Sequence, residues 1–193
     1  SIDGFTTTGT VSMTKTAGTA TFMGNVNGGA LTINGAGGTL NLGTGLTHTF
    51  TGTWTRTNGT LDCSSSTLKI GLSVSGTGGT FTAGTGTVEW NRAGNQTVAG
   101  VTYNNLVLSG SGTKTLSAGT AVGGNLILSG TAVATAVAMT VGGNLDVGSG
   151  TTFTVPGVAF NVTGTTKVSG TIIHNNATAL KAYSGDVTVN NGG

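Results

Sequence analysis

Charged side chains, proline and cysteine are scarce in this sequence. Only 6% of the 193 residues are charged, against about 25% in ordinary soluble domains. The single cysteine excludes an internal disulfide, so the fold must rest on hydrogen bonds and packing. Because apolar residues make up 36% and aromatic residues 5% of the chain, any core must be thin and distributed along it. In their place stand 37 glycines and 41 threonines.

The few charges form no cluster. The formal net charge is +2, and the seven basic residues are scattered singly: Lys15, Arg56, Lys69, Arg92, Lys114, Lys167 and Lys181. A nucleic-acid-binding protein concentrates Lys and Arg on one face, so we expect no nucleic-acid partner. No apolar run approaches the roughly 20 residues of a membrane helix, so we expect no membrane insertion.

A short strand closed by a turn recurs in the sequence. Residues 104–110 read NNLVLSG, and the pattern returns as GNLILSG at 124–130 and as GNLDVG at 143–148. Each copy holds two apolar residues separated by one position, which a β-strand places on the same face. Gly, Ser and Asn flank each copy and favour turns.

The paired apolar signature runs through the whole chain in ten copies. They are Val11/Met13, Leu31/Ile33, His48/Phe50, Leu68/Ile70, Val88/Trp90, Leu106/Leu108, Leu126/Leu128, Leu145/Val147, Thr166/Val168 and Val187/Val189. A fixed period near 20 residues with one structural unit per repeat is typical of a solenoid. The sequence therefore predicts an all-β parallel β-helix (β-solenoid) of about ten coils in a single domain, residues 1–193. We expect right-handed coiling, as in most parallel crossovers.

The alignment of the repeats predicts two kinds of contact between coils. Asn105, Asn125 and Asn144 share one column, where their side-chain amides can hydrogen-bond up the stack; they are equally explained as simple turn formers. Opposite charges on adjacent coils pair Lys69 with Glu89 and Asp146 with Lys167. Such pairs contribute about 0.2 to 1 kcal/mol each and help to set the register.

No constellation of residues points to catalysis or to a metal. The five carboxylates are Asp3, Asp62, Glu89, Asp146 and Asp186, and their spacing gives no acid/base pair. His48 and His174 lie far apart, without the spacing of metal ligands. We therefore predict no enzyme, no metal and no cofactor. Cys63, two residues after Leu61 on the same strand face, is expected to be a buried packing group.

One region carries a family resemblance. Residues 79–91 (GTFTAGTGTVEWN), 94–98 (GNQTV) and 103–116 (YNNLVLSGSGTKTL) resemble the repeat units of large bacterial cell-surface proteins with an adhesin-like β-solenoid architecture. The resemblance covers about residues 76 to 170. It implies an exported surface or fibre protein. The chain begins at Ser1 without a leader-like segment, which fits a processed secreted protein or a fragment of a larger one.

Three functions are consistent with these observations. In the first, the chain is a structural subunit or repeat segment of an extracellular fibre, with itself as partner. Its solenoid ends, at Val11 and Met13 and at Val187 and Val189, would then stack head to tail, because an uncapped solenoid exposes unpaired strands. The covalent alternative is a segment of a longer solenoid.

The second function is an adhesin stalk or passenger module that binds surface glycans through an exposed Thr/Asn face and aromatic residues such as Trp54, Trp90 or Tyr103. The third is ice binding, suggested by threonine at every second position in several stretches. An ice-binding array should stack coil after coil. The threonine pairs fall at irregular positions relative to the ten apolar pairs, and the three copies that begin at Leu106 carry none, so the sequence favours this function least.

Overall fold

The computed structural model describes residues 1–176 and 178–191. Within these residues the chain is all-β, without a helix, and the strands stack in parallel as a β-solenoid of about nine turns with a period near 20 residues. This confirms the predicted fold class, while the right-handed coiling stays a prediction. The chain divides into two compact units, Ser1–Glu89 and the residues from Trp90 onward, which are described separately below. The single domain also stays a prediction.

The first unit contains two parallel sheets. The five strands of one follow the order β1 (Phe5–Thr6), β4 (Val26–Gly28), β6 (Thr47–Phe50), β8 (Thr67–Ile70) and β11 (Thr87–Trp90). The other has the order β10 (Thr80–Thr82), β7 (Trp54–Asp62), β5 (Leu31–Asn41) and β2 (Val11–Met13), with β3 (Thr19–Thr21) on β5 and β9 (Val74–Ser75) on β7. The pairing of the long strands β5 and β7 shifts register after Ile33 and after Asn34.

The second unit has three parallel walls. The ladder wall consists of β14 (Asn105–Leu108), β17 (Leu126–Leu128), β20 (Leu145–Val147), β23 (Thr166–Val168) and β26 (Val187–Val189). The threonine wall consists of β12 (Gln96–Val98), β15 (Ser111–Leu116), β18 (Thr131–Thr135), β21 (Thr152–Val155) and β24 (Thr171–His174). The third wall consists of β13 (Thr102–Tyr103), β16 (Ala121–Val122), β19 (Met139–Val141), β22 (Phe160–Val162) and β25 (Lys181–Tyr183).

The core is a set of apolar columns, because the same strand phase repeats in each coil. In the ladder wall Leu106 stacks on Leu126, and Leu126 on Leu145. All three side chains are fully buried. Burying one leucine contributes about 1.5 to 3 kcal/mol, so the stability of each coil depends on the coils that cover it.

Two of the ten predicted apolar pairs lie in a different sheet from the other eight. Val11/Met13 and Leu31/Ile33 belong to β2 and β5 and pair with each other. In those coils the strands of the first sheet are β1 and β4. The prediction was wrong here because both sheets alternate apolar and polar residues in the same way. The shortened step of 17 residues from Leu31 to His48 marks the change from one sheet to the other.

Glycine corners set the phase of the threonine wall. Gly110, Gly130 and Gly150 have φ values of 76°, 68° and 79°, in the left-handed region that residues with a Cβ atom rarely adopt. Gly110 and Gly130 directly precede strands β15 and β18 of the threonine wall, and one residue separates Gly150 from β21. Because each coil turns in the same way, the same alternate residues face outward in successive coils.

Candidate functional surfaces

The three ladder asparagines connect successive coils through the backbone. The Oδ1 atom of Asn105 accepts a hydrogen bond from the backbone N–H of Asn125 at 3.0 Å. Asn125 accepts from the N–H of Asn144 at 2.8 Å, and Asn144 from the N–H of Thr165 at 2.9 Å. Each amide oxygen therefore satisfies a corner N–H of the next coil. This differs from the amide-to-amide stacking expected from the sequence.

Only one of the two charge pairs forms an ion pair among the described residues. The Lys69 Nζ atom lies 3.0 Å from a carboxylate oxygen of Glu89, and both side chains are partly exposed. Asp146 and Lys167 are direct partners in register. No salt bridge joins their side chains within the described part of the chain.

The most unusual buried group is Lys114, on β15 of the threonine wall. Its side chain points into the core and is fully buried. The ammonium donates to the backbone oxygen of Arg92 at 2.6 Å, to Gln96 Oε1 at 3.0 Å and to the oxygen of Gly94 at 3.4 Å. Burial, together with the nearby charge of Arg92, lowers the pKa of Lys114 to about 8. Three acceptors match the three donors of the ammonium.

His48, in the first unit, is another fully buried basic group. Its Nδ1 atom accepts a hydrogen bond from the Val26 N–H at 3.1 Å, and Nε2 lies 2.7 Å from the Leu42 oxygen. These contacts require a neutral ring protonated at Nε2. Burial lowers the pKa of His48, against the opposing effect of the bond to Leu42. Both polar atoms of the ring are therefore used structurally.

Cys63 is a packing group, as the sequence predicts. The side chain is fully buried, and its Sγ atom lies 3.3 Å from the Ser66 oxygen. Burial, with a smaller contribution from the charge of Asp62, raises the pKa of the thiol to about 12. A thiol that stays protonated is a poor nucleophile.

The terminal coils of the described chain expose apolar residues that other coils bury. In the first unit Phe5, on edge strand β1, is 38% exposed and lines a cavity of about 490 Å³ that also reaches Val11 and Met13. In the second unit Val187 and Val189, on edge strand β26, are 55% and 67% exposed and line a cavity of about 390 Å³. Each cavity opens at the uncovered core of a coil.

The outward face of the threonine wall is regular. One outward column runs Thr113, Val133, Thr152, Thr171, and the next runs Thr97, Thr115, Thr135, Thr154, Ile173. We call these nine positions the threonine face. Relative to the ladder wall the threonine pairs are irregular, as the sequence indicates, but Thr113/Thr115 and Thr152/Thr154 are aligned in register within this wall.

The aromatic residues suggested for glycan contact are not available at the surface. Trp54 and Trp90 are fully buried, and Tyr103 is 1% exposed. They belong to the core, so the prediction that they contact glycans was wrong. Successive side chains of a strand point to opposite faces, and this alternation places Trp54 and Trp90 on the inward face. The sequence therefore carried a signal for their burial.

Within residues 1–176 and 178–191, no three His, Cys, Asp or Glu side chains come together in a way that could hold a metal ion. The same residues include no helix of the length and hydropathy needed to span a bilayer. Comparisons of the chain with protein-family models, curated proteins and solved structures found no match.

Proposed function

We propose that this chain is a structural segment of an extracellular surface fibre in which solenoid ends stack head to tail. The observation that carries the proposal is the uncovered apolar core of each terminal coil, at Phe5 and at Val187 and Val189. Exposed strand edges of this kind pair with further strands. The resemblance of residues 76–170 to bacterial surface repeats supports an extracellular location.

A second copy of the chain fits these ends in register. Phe5 and Val187 are each the first inward residue of their strand, and each strand ends its sheet. Stacking Val187 on Phe5 of the next copy continues the column of the first sheet, and Thr188 then meets Thr6. Head-to-tail contacts of this type generate open filaments.

The test measures self-association of the full chain. Sedimentation velocity over a range of concentrations, followed by electron microscopy, should show rods that lengthen with concentration. Val189→Lys places an ammonium in the apolar junction and should leave the chain monomeric. Thr188→Lys adds the same charge to the same strand on its outward side and should still assemble.

Two results would overturn the assembly. One is a wild-type chain that stays monomeric throughout, and the other is equal behaviour of the two lysine variants. The location is tested separately, because an antibody against the chain should label intact source cells. Labelling that requires cell lysis would contradict an extracellular fibre.

A further inference from the structure

We infer that the threonine face of the second unit binds ice. The inference is independent of fibre assembly, because the face lies on a side wall and uses neither β1 nor β26, the strands of the proposed junction. It rests on three observations: the hydroxyl groups of this face, their two-dimensional repeat, and the different composition of the other two walls.

The fold does not use the hydroxyl groups of six of the seven threonines on this face. Within the part of the chain that the structure describes, the hydroxyls of six of its threonines make no hydrogen bond with protein atoms: Thr113, Thr115, Thr135, Thr152, Thr154 and Thr171. Threonines with structural roles behave differently. Thr120 and Thr151, both buried, donate to the backbone oxygens of Ser117 and Gly148 at 2.7 Å.

Strand propensity does not explain the concentration of threonine. Threonine favours any exposed strand position, so propensity alone would spread it over all three walls. The outward column of the ladder wall instead reads Val107, Ile127, Asp146, Lys167 and Thr188. The outward positions of the third wall read Thr102, Ala121, Thr140, Asn161 and Ala182. A factor specific to the threonine wall, beyond strand propensity, therefore accounts for its threonine content.

The face repeats in two dimensions. Outward residues of one strand, such as Thr113 and Thr115, are separated by about 6.6 Å, and successive coils by about 4.8 Å. The outward side chains therefore form a regular two-dimensional array. Each threonine presents a methyl group and a hydroxyl, and its branched side chain has few rotamers, so the array loses little entropy when it binds.

The chemistry of the face favours ice over a protein or glycan partner. Its nine positions hold only Thr, Val133 and Ile173, so it carries no charge with a hydration shell of its own. It also lacks the aromatic and arginine anchors on which protein interfaces depend, and it has no aromatic ring on which a sugar could stack. An uncharged lattice of hydroxyls and methyls matches a partner that is itself periodic and bonded through hydrogen bonds.

The test is partition of the full chain into slowly grown ice made from dilute buffer, alongside an inert protein of similar size. Wild type should be enriched in the ice and should slow ice recrystallisation. Thr135→Tyr places a bulky ring in the middle of the face and should lower the enrichment about tenfold. Thr140→Tyr makes the same change on the third wall and should retain wild-type binding. Thr135→Val, which repeats the residue found at Val133, should stay within about twofold of wild type.

The folded state of each variant is checked by circular dichroism and melting temperature. Wild-type partition equal to that of the inert protein would overturn the inference, as would an equal loss in Thr135→Tyr and Thr140→Tyr. Sedimentation of the chain with insoluble cellulose or chitin, without enrichment in ice, would also overturn it and would identify a crystalline polysaccharide as the partner.

Discussion

Among the described residues, each unit contains one basic side chain with no solvent exposure, His48 or Lys114, and the two are satisfied differently. His48 in the first unit is neutral and uses one donor and one acceptor. Lys114 in the second unit is an ammonium surrounded by three oxygens, none of them from a carboxylate. The difference shows that stacked coils can accommodate a buried charge through two backbone carbonyls and one side-chain amide oxygen. It also makes the second unit the more sensitive of the two to loss of a partner.

The largest effect is expected when the lysine loses Gln96. Gln96→Leu removes the Oε1 atom that accepts from the Lys114 ammonium and from the Arg92 N–H. Loss of one bond to a charged group and of one to the part-buried Arg92 N–H should lower the free energy of unfolding by about 4 kcal/mol. Urea denaturation measures this change.

The double variant Gln96→Leu/Lys114→Met serves as its control. Replacing a buried charge and its partner by apolar groups is often close to neutral, so the double variant should recover most of the loss. A double variant no more stable than Gln96→Leu would show that the side chain of Gln96 acts mainly through packing or through Arg92, and not through the lysine.

The free energy of unfolding should rise at alkaline pH, because burial disfavours the charged form of Lys114. The pKa of Lys114 is about 8 in the folded chain and 10.5 when exposed. Between these values the unfolded chain binds more protons, so the stability of wild type rises with pH. Relative to Lys114→Met, the gain from pH 8 to pH 10.5 should approach about 3 kcal/mol. Parallel pH profiles of the two chains would contradict a lysine with a lowered pKa.

The repeats predicted the solenoid from the sequence because the apolar columns carry the period directly. Eight of the ten predicted apolar pairs lie as expected, from His48/Phe50 to Val187/Val189. The role of Lys114 was missed, because the scattered basic residues indicated no function. The signal was nevertheless present: Leu116 faces inward, and strand alternation places Lys114 on the same side.

The threonine face was missed for another reason. Which wall a residue occupies depends on the positions of the corners, and the hydrophobic pattern is the same in neighbouring walls. The positive φ at Gly110 and Gly130 fixes those corners, and sequence alone does not distinguish these glycines from the many others. The exposure of Val187 and Val189 follows from their position on β26, the last strand in the order of its sheet.

Replacement of the neutral His48 in the first unit should lower the free energy of unfolding by less than replacement of Gln96. His48→Phe leaves the buried Val26 N–H without its acceptor, whereas the Leu42 oxygen keeps a bond from Ser66 at 3.1 Å. The expected loss is about 2 kcal/mol, measured by urea denaturation at pH 8.

At acidic pH, the difference in the free energy of unfolding between His48→Phe and wild type should become smaller. Because the pKa of His48 is lowered in the folded chain, the unfolded chain binds more protons below about pH 6.5, and wild type loses stability as the pH falls. The phenylalanine variant lacks this loss. A difference that stays constant from pH 8 to pH 5 would contradict a neutral, buried His48.

The smallest expected effect is the interaction energy of the outward charge pairs. Each unit has one lysine and one carboxylate on adjacent coils, so the two pairs can be compared directly. Lys69 and Glu89 are 3.0 Å apart, whereas Asp146 and Lys167 share a register position without an ion pair. Double-mutant cycles with Lys→Met and with Glu→Gln or Asp→Asn isolate each pairwise energy. We expect about 0.5 kcal/mol for Lys69 and Glu89, since both are partly solvated, and about zero for Asp146 and Lys167. High salt should remove the first coupling and leave the second unchanged. Equal couplings in the two units would mean that register alone, without a formed ion pair, sets the interaction.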